Sequence, residues 1–153
     1  MRTLNVLAAL LLPGVLAWSQ SPEPAKAEKL VKAAVAFAKA NGMNRLIMET
    51  NQGDGRFHVG SGSQLYIFIY DQAGVCQAIG FNTTALVGKN RIGLQDSTGK
   101  FFLKEINNTA KTKGSGWVDY KYPNPQTNAV EDKTSYVELC GDMVVGAGIY
   151  KAK

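Results

Sequence analysis

Gly114-Ser-Gly-Trp-Val-Asp-Tyr-Lys-Tyr-Pro-Asn-Pro125, followed after a polar connection by Lys133-Thr-Ser-Tyr-Val137, is the stretch on which the fold turns. Val118, Tyr120 and Tyr122 alternate with Asp119 and Lys121, the period of two that marks a strand with unlike faces. Pro123 and Pro125 lack the N–H that a ladder requires, so the strand must stop there. A second strand opens on Lys133 and continues through Ser135, Tyr136 and Val137. Tyr120 and Tyr122 therefore share a face, and Lys133 starts the neighbouring strand beside them. Phenolic hydroxyls next to an ammonium suit a small polar or anionic ligand. Tyr136 lies three residues beyond Lys133, which puts it on the opposite face of a regular strand. Both reach one pocket only if the strand bulges or Lys133 swings in from its end.

The surrounding segments supply the rest of a layered domain. In Gln64-Leu-Tyr-Ile-Phe-Ile-Tyr-Asp71, Leu65, Ile67 and Ile69 alternate with Tyr66, Phe68 and Tyr70, so neither face is polar. That pattern predicts a strand over 64–71, covered on both sides and central in its sheet. A turn at Gln72-Ala-Gly74 leads to a second strand over 75–81. Upstream, Ser21-Pro-Glu23 is a helix start, with a hydroxyl cap and proline in the first turn. Leu30, Val31, Ala34, Val35, Phe37 and Ala38 form an apolar stripe at helical spacing, and Asn41-Gly42 ends the helix. Leu46-Ile-Met48 predicts a short second helix. Phe101, Phe102, Ile106 and Ala110 mark another, ending near Gly114. A last strand covers 143–151, where Gly146 and Gly148 leave space on one face. Helix, helix, strand, strand, helix and three strands describe an α+β domain with helices packed on an antiparallel sheet.

Residues 1–19 read as a cleavable export leader. Arg2 precedes the apolar run Leu4–Leu16, which is shorter than the ~20 residues a bilayer requires. Ala17-Trp-Ser19 places small residues at the cut before Gln20; Trp18, a common interfacial residue, leaves an uncleaved anchor as the alternative. Residues 20–153 then form a single domain. Its net charge, +5 over the whole chain, is modest and its lysines are scattered, so no nucleic-acid surface is expected. His58 is the only histidine and reads as a turn residue among Gly55, Gly60 and Gly62. Neither a metal centre nor a cofactor is expected from so few nitrogen and thiolate ligands. Asp96-Ser-Thr-Gly99 reads as a turn rather than a calcium loop. With no paired carboxylates or activated nucleophile motif, the chain does not read as an enzyme.

The quoted stretch resembles the single Cache domains of the second subgroup, bacterial extracytoplasmic sensor modules with a PAS-like fold. Their Gly-Trp-Val-x-Tyr stretch, aromatic-x-Pro turn and Lys-x-Ser-Tyr-Val strand recur here in the same order. Gln64–Asp71, the Ala73-Gly74 turn, Ala85–Asn90, Asp96–Phe101 and Val144–Tyr150 are also similar to the family, so the resemblance covers roughly 30–151. It implies a five-stranded antiparallel sheet in the order 2-1-5-4-3, with a long N-terminal helix on one face. It further implies a periplasmic or secreted domain that binds a small molecule, such as a small organic acid, in a pocket between sheet and covering loops. With no second membrane segment or output module in the sequence, the expected recipient of a signal is a partner, a membrane receptor or sensor kinase. The alternative is an accessory or structural protein with a vestigial pocket.

Mapped onto that pocket, Tyr120 and Tyr122 line it, Lys133 supplies charge and Phe81 narrows one end; Tyr66 and Tyr136 are secondary candidates. Many relatives carry His-Pro where this chain has Gly80-Phe81, which removes an ionisable donor and puts transfer of any one family ligand in doubt. The same strand order places Cys76 and Cys140 three strand spacings apart, ~14 Å. A disulfide tolerates ~7 Å between Cα atoms, so two unbridged cysteines are expected.

Overall fold

The computed structural model describes residues 23–60 and 63–151. The leader at 1–19 and the cap at Ser21 lie outside the described residues. Two helices come first, α1 (Glu23–Asn41) and α2 (Met43–Asn51), joined at Gly42, whose φ of 92° favours a residue without a Cβ. Then follow β1 (Ile67–Asp71), β2 (Cys76–Ile79), the single turn α3 (Thr83–Leu86) and α4 (Phe102–Lys113). The chain closes with β3 (Ser115–Pro123), β4 (Val130–Cys140) and β5 (Met143–Tyr150). All pairings are antiparallel, and the sheet runs β2-β1-β5-β4-β3.

Period-two alternation divides the sheet into two faces, each with its own core. Ile67, Ile69, Val145, Ala147 and Ile149 face α1, which presents Ala27, Val31, Ala34, Val35 and Ala38. Small residues along that stripe let the helix lie close on the strands. Phe68, Tyr70, Val118, Tyr120, Val137 and Val144 point the other way and meet Phe102, Leu103, Ile106 and Ala110 of α4. Ile67–Asp71 is thus a strand apolar on both sides, and the strand expected over 64–71 begins only at Ile67.

In the β3–β4 hairpin, one boundary corrects the sequence reading. β3 ends at Pro123 as expected, but β4 opens at Val130 rather than Lys133. The hairpin ladder continues through Tyr122↔Glu131 to Pro123↔Val130, leaving Lys133 opposite Tyr120 and inside the strand. Asn124 and Ala129 close the tip, with the Asn124 N–H donating to the Ala129 carbonyl at 2.8 Å. Beyond α3, the 87–101 loop is held against β3. The Asp96 carboxylate accepts from the Lys121 N–H at 2.9 Å, and the Lys100 ammonium donates to the Asp119 carbonyl at 2.6 Å. Cys76 and Cys140 are unbridged; β1 and β5 separate their strands, and the two side chains pack into different cores.

Candidate functional site

On the α4 face, the strands converge side chains that an ordinary core avoids. Lys133 is 1% exposed and lines a cavity of about 20 Å³ together with Tyr66, Phe68, Tyr70, Tyr120 and Tyr122. Phe102, Leu103 and Ile106 of α4 roof it. The lysine reaches inward because β5 makes room: a Cβ on Gly148 would lie 2.7 Å from Lys133 Cε and 2.1 Å from Ser135 Oγ. Gly146 does the same for Phe68, whose ring a Cβ would meet at 2.3 Å. The space expected from these two glycines is therefore filled by the site's own side chains.

The Lys133 amine donates to Tyr66 Oη at 2.8 Å. It sits 4.3 Å from the centroid of the Tyr66 ring and 5.1 Å from those of Tyr122 and Tyr150. Among the described residues, no carboxylate lies within ion-pair distance of it. Burial without a counter-charge pulls its pKa from the ordinary lysine value down to about 7. The neighbouring phenols shift the other way: burial raises Tyr66, Tyr120 and Tyr150, keeping them neutral hydroxyls. Tyr120 shares a hydrogen bond of 2.9 Å with Ser135 Oγ, and the Tyr150 hydroxyl donates to the Pro123 carbonyl at 2.6 Å. At the outer wall, Tyr122 is half-buried, and Arg91 Nη1 donates to its hydroxyl at 2.7 Å.

The structure brings together Tyr66, Tyr120, Tyr122 and Lys133; it places Tyr136 on the other face and Phe81 behind Tyr66 rather than in the cavity lining. Tyr136 obeys strand parity. β4 does not bulge between the two residues, so Tyr136 lies in the α1 core, its ring centroid 5.4 Å from that of Trp117. This corrects its placement as a pocket candidate. Phe81 stands behind Tyr66, ring centroids 4.4 Å apart, and buttresses the wall rather than narrowing the cavity. Gly80 has a steric reason to be glycine, since a Cβ there would sit 2.8 Å from the Phe57 carbonyl oxygen. His58 faces the backbone: its Nδ1 lies 3.1 Å from the Thr50 carbonyl, to which it must donate.

Sequence reasoning missed Tyr150, Tyr70 and Arg91. Tyr150 was within reach, because it continues the face of Gly146 and Gly148 along β5. Tyr70 of β1 likewise lies on the face of Tyr66, which immediately precedes that strand. Arg91 comes from a loop with no periodicity and reaches Tyr122 only through the tertiary fold.

The fold has solved counterparts. A Cache chemosensory domain described for carboxylic acid recognition aligns at 23% identity, with a TM-score of 0.67, over 85% of this chain and 94% of its own. The periplasmic sensor domain of a chemotaxis protein aligns at 24% identity and a TM-score of 0.60, over 85% and 91% of the two chains. A methyl-accepting chemotaxis protein from Vibrio parahaemolyticus gives 22% and 0.66, over 84% and 88%. Likeness at these identities establishes the shared architecture. The model of the family described as Single Cache domain 2 matches residues 28–152, nearly all of the described chain, and on that match this protein belongs to the single Cache domain 2 family.

Proposed function

We propose that this domain binds a small organic acid or similar polar metabolite outside the cytoplasm, in the Lys133 cavity, as the sensing step of a signalling pathway. One observation carries the reading: a lysine buried among tyrosines with no carboxylate of its own among the described residues. A charged ammonium has three donors, of which Tyr66 takes one. A ligand carboxylate would satisfy the remainder and supply the missing charge. The structural relative described for carboxylic acid recognition lends support. Among the described residues, no helix is long and apolar enough to cross a membrane. In this reading the bound state is passed to a partner, a membrane receptor or sensor kinase.

A second reading, an accessory protein with a vestigial pocket, draws on the cavity's size. About 20 Å³ is the room one water occupies, so a ligand enters only if the wall moves. Half-buried Tyr122, held by Arg91 from a loop, is the part placed to move. A thermal-shift screen of formate, acetate, propionate and lactate, followed by calorimetry, separates the readings. The sensor reading expects a melting shift and an affinity at least tenfold weaker in Lys133→Ala, about 1.4 kcal/mol or more. Absence of any shift across small acids favours the vestigial pocket.

A further inference from the structure

Charge is only one thing a buried amine can offer. Lys133 Nζ makes its hydrogen bond to Tyr66 Oη, which satisfies one N–H and leaves the rest of the nitrogen facing the cavity that it lines. The side chain is held there, its stem lying over Gly148 where any larger residue would collide. Dry surroundings with no counter-charge favour the neutral amine, and a neutral lysine amine is a nucleophile toward carbonyl carbon. With its pKa drawn down to about 7, a large share of Lys133 carries a free lone pair at neutral pH.

We propose that Lys133 captures small carbonyl compounds, aldehydes or 2-oxo acids of two or three carbons, as a reversible imine. The inference rests on the pocket reading above and gives the ligand class a second chemical feature beyond its charge. The lone pair attacks the carbonyl carbon, a C–N bond forms, and the C=O pair moves onto oxygen, which takes up a proton as nitrogen loses one. The carbinolamine then expels its hydroxyl as water while nitrogen gives up its second proton, leaving C=N. Amine and carbonyl become imine and water, with no change of oxidation state. Tyr66 is the positioning group for both proton movements, since its hydroxyl lies 2.8 Å from Nζ and burial keeps it protonated. A dry, aromatic cavity also keeps bulk water from reversing the condensation.

The test incubates the full chain separately with pyruvate and with propionaldehyde, adds sodium borohydride to reduce any imine, and maps adducts by peptide mass. Acetate, which has no reactive carbonyl, serves as the control, and melting is followed with each compound. A single reduced adduct on Lys133, absent with acetate and lost in Lys133→Arg, is the expected result. Tyr66→Phe, which keeps the ring, slows adduct formation on the order of a hundredfold. Mapping on the wild type decides the matter even if Lys133→Arg folds poorly. No Lys133 adduct with either probe overturns the proposal, as does labelling spread evenly over exposed lysines. A melting shift without an adduct overturns the imine and leaves the pocket reading standing. Neither shift nor adduct overturns both.

Discussion

The two faces of one sheet have been given opposite tasks. Under α1, the strands bury Ile67, Ile69, Val145, Ala147 and Ile149 against alanines and valines, and among the described residues the ionisable groups of that cluster are the Tyr136 phenol and, at its margin, the Cys140 thiol. Under α4, the same strands bury Lys133, Ser135 and the tyrosines. A core of the first kind gains stability from every methyl group it contains. The second kind gives some of that stability up, because a buried amine without a counter-ion opposes folding. On the proposed function, stability and ligand recognition fall on opposite faces of one sheet, and the following predictions perturb each alone.

The largest effect should come from the apolar side. Leu46 is fully buried at the α1–α2 end of that core, and Leu46→Ala is expected to cost about 2–5 kcal/mol of stability. Ligand affinity of the folded fraction should be unchanged, which calorimetry below the melting temperature would check. Loss of affinity at full folding would show that the faces are coupled.

Lys133→Met should have the opposite sign. Replacing a buried amine with an apolar chain of similar length is expected to stabilise the unliganded domain by about 1–3 kcal/mol and to abolish the response to small acids. Chemical denaturation of both proteins without ligand measures the first effect, and the thermal-shift screen measures the second. The effect follows from the place of Lys133 inside β4 rather than at the opening of the strand. A variant less stable than wild type would mean that the hydrogen bond and ring contacts outweigh burial.

Smaller again is the pH dependence. Lys133 titrates near 7 when folded and near its ordinary value when unfolded, so between these limits the unfolded chain holds more protons. Stability should therefore rise with pH from about 7 to 9, by at most about 1.4 kcal/mol per unit. The groups facing the amine are Tyr66 before β1, Tyr120 and Tyr122 on β3, and Tyr150 on β5. Burial raises Tyr66, Tyr120 and Tyr150, so the unfolded phenols ionise first and the trend should turn over near pH 10. Melting followed from pH 6 to 10 in wild type and Lys133→Met tests this. A rise that persists in the variant would assign it elsewhere.

The apolar face was almost wholly legible in the sequence. The stripe from Leu30 to Ala38 and the double alternation of 64–71 are local patterns with one physical reading, and the resemblance supplied the strand order. The polar face was legible in its parts but not in its depth. Tyr120, Tyr122 and Lys133 were identified, yet the sequence reads Lys133 as the opening of its strand, three residues late. Only pairing with β3 and the two glycines of β5 explain how the last of the three comes to be buried. Tyr136 was settled by parity once the strand proved regular. Arg91 had no local pattern to betray it, because its role depends on where a long loop returns to the sheet.

The loop that carries Arg91 has one more consequence, for assembly. β3 is the last strand of the sheet, and such a strand offers unpaired backbone groups to any other extended chain. Here the Asp96 carboxylate takes the Lys121 N–H, and the Lys100 ammonium takes the Asp119 carbonyl. Docking a further strand along β3 would first require stripping away both contacts, which shields this border from runaway sheet extension. A receptor or a second copy of the chain could add a strand at the β3 border of the five-stranded sheet only by displacing that loop.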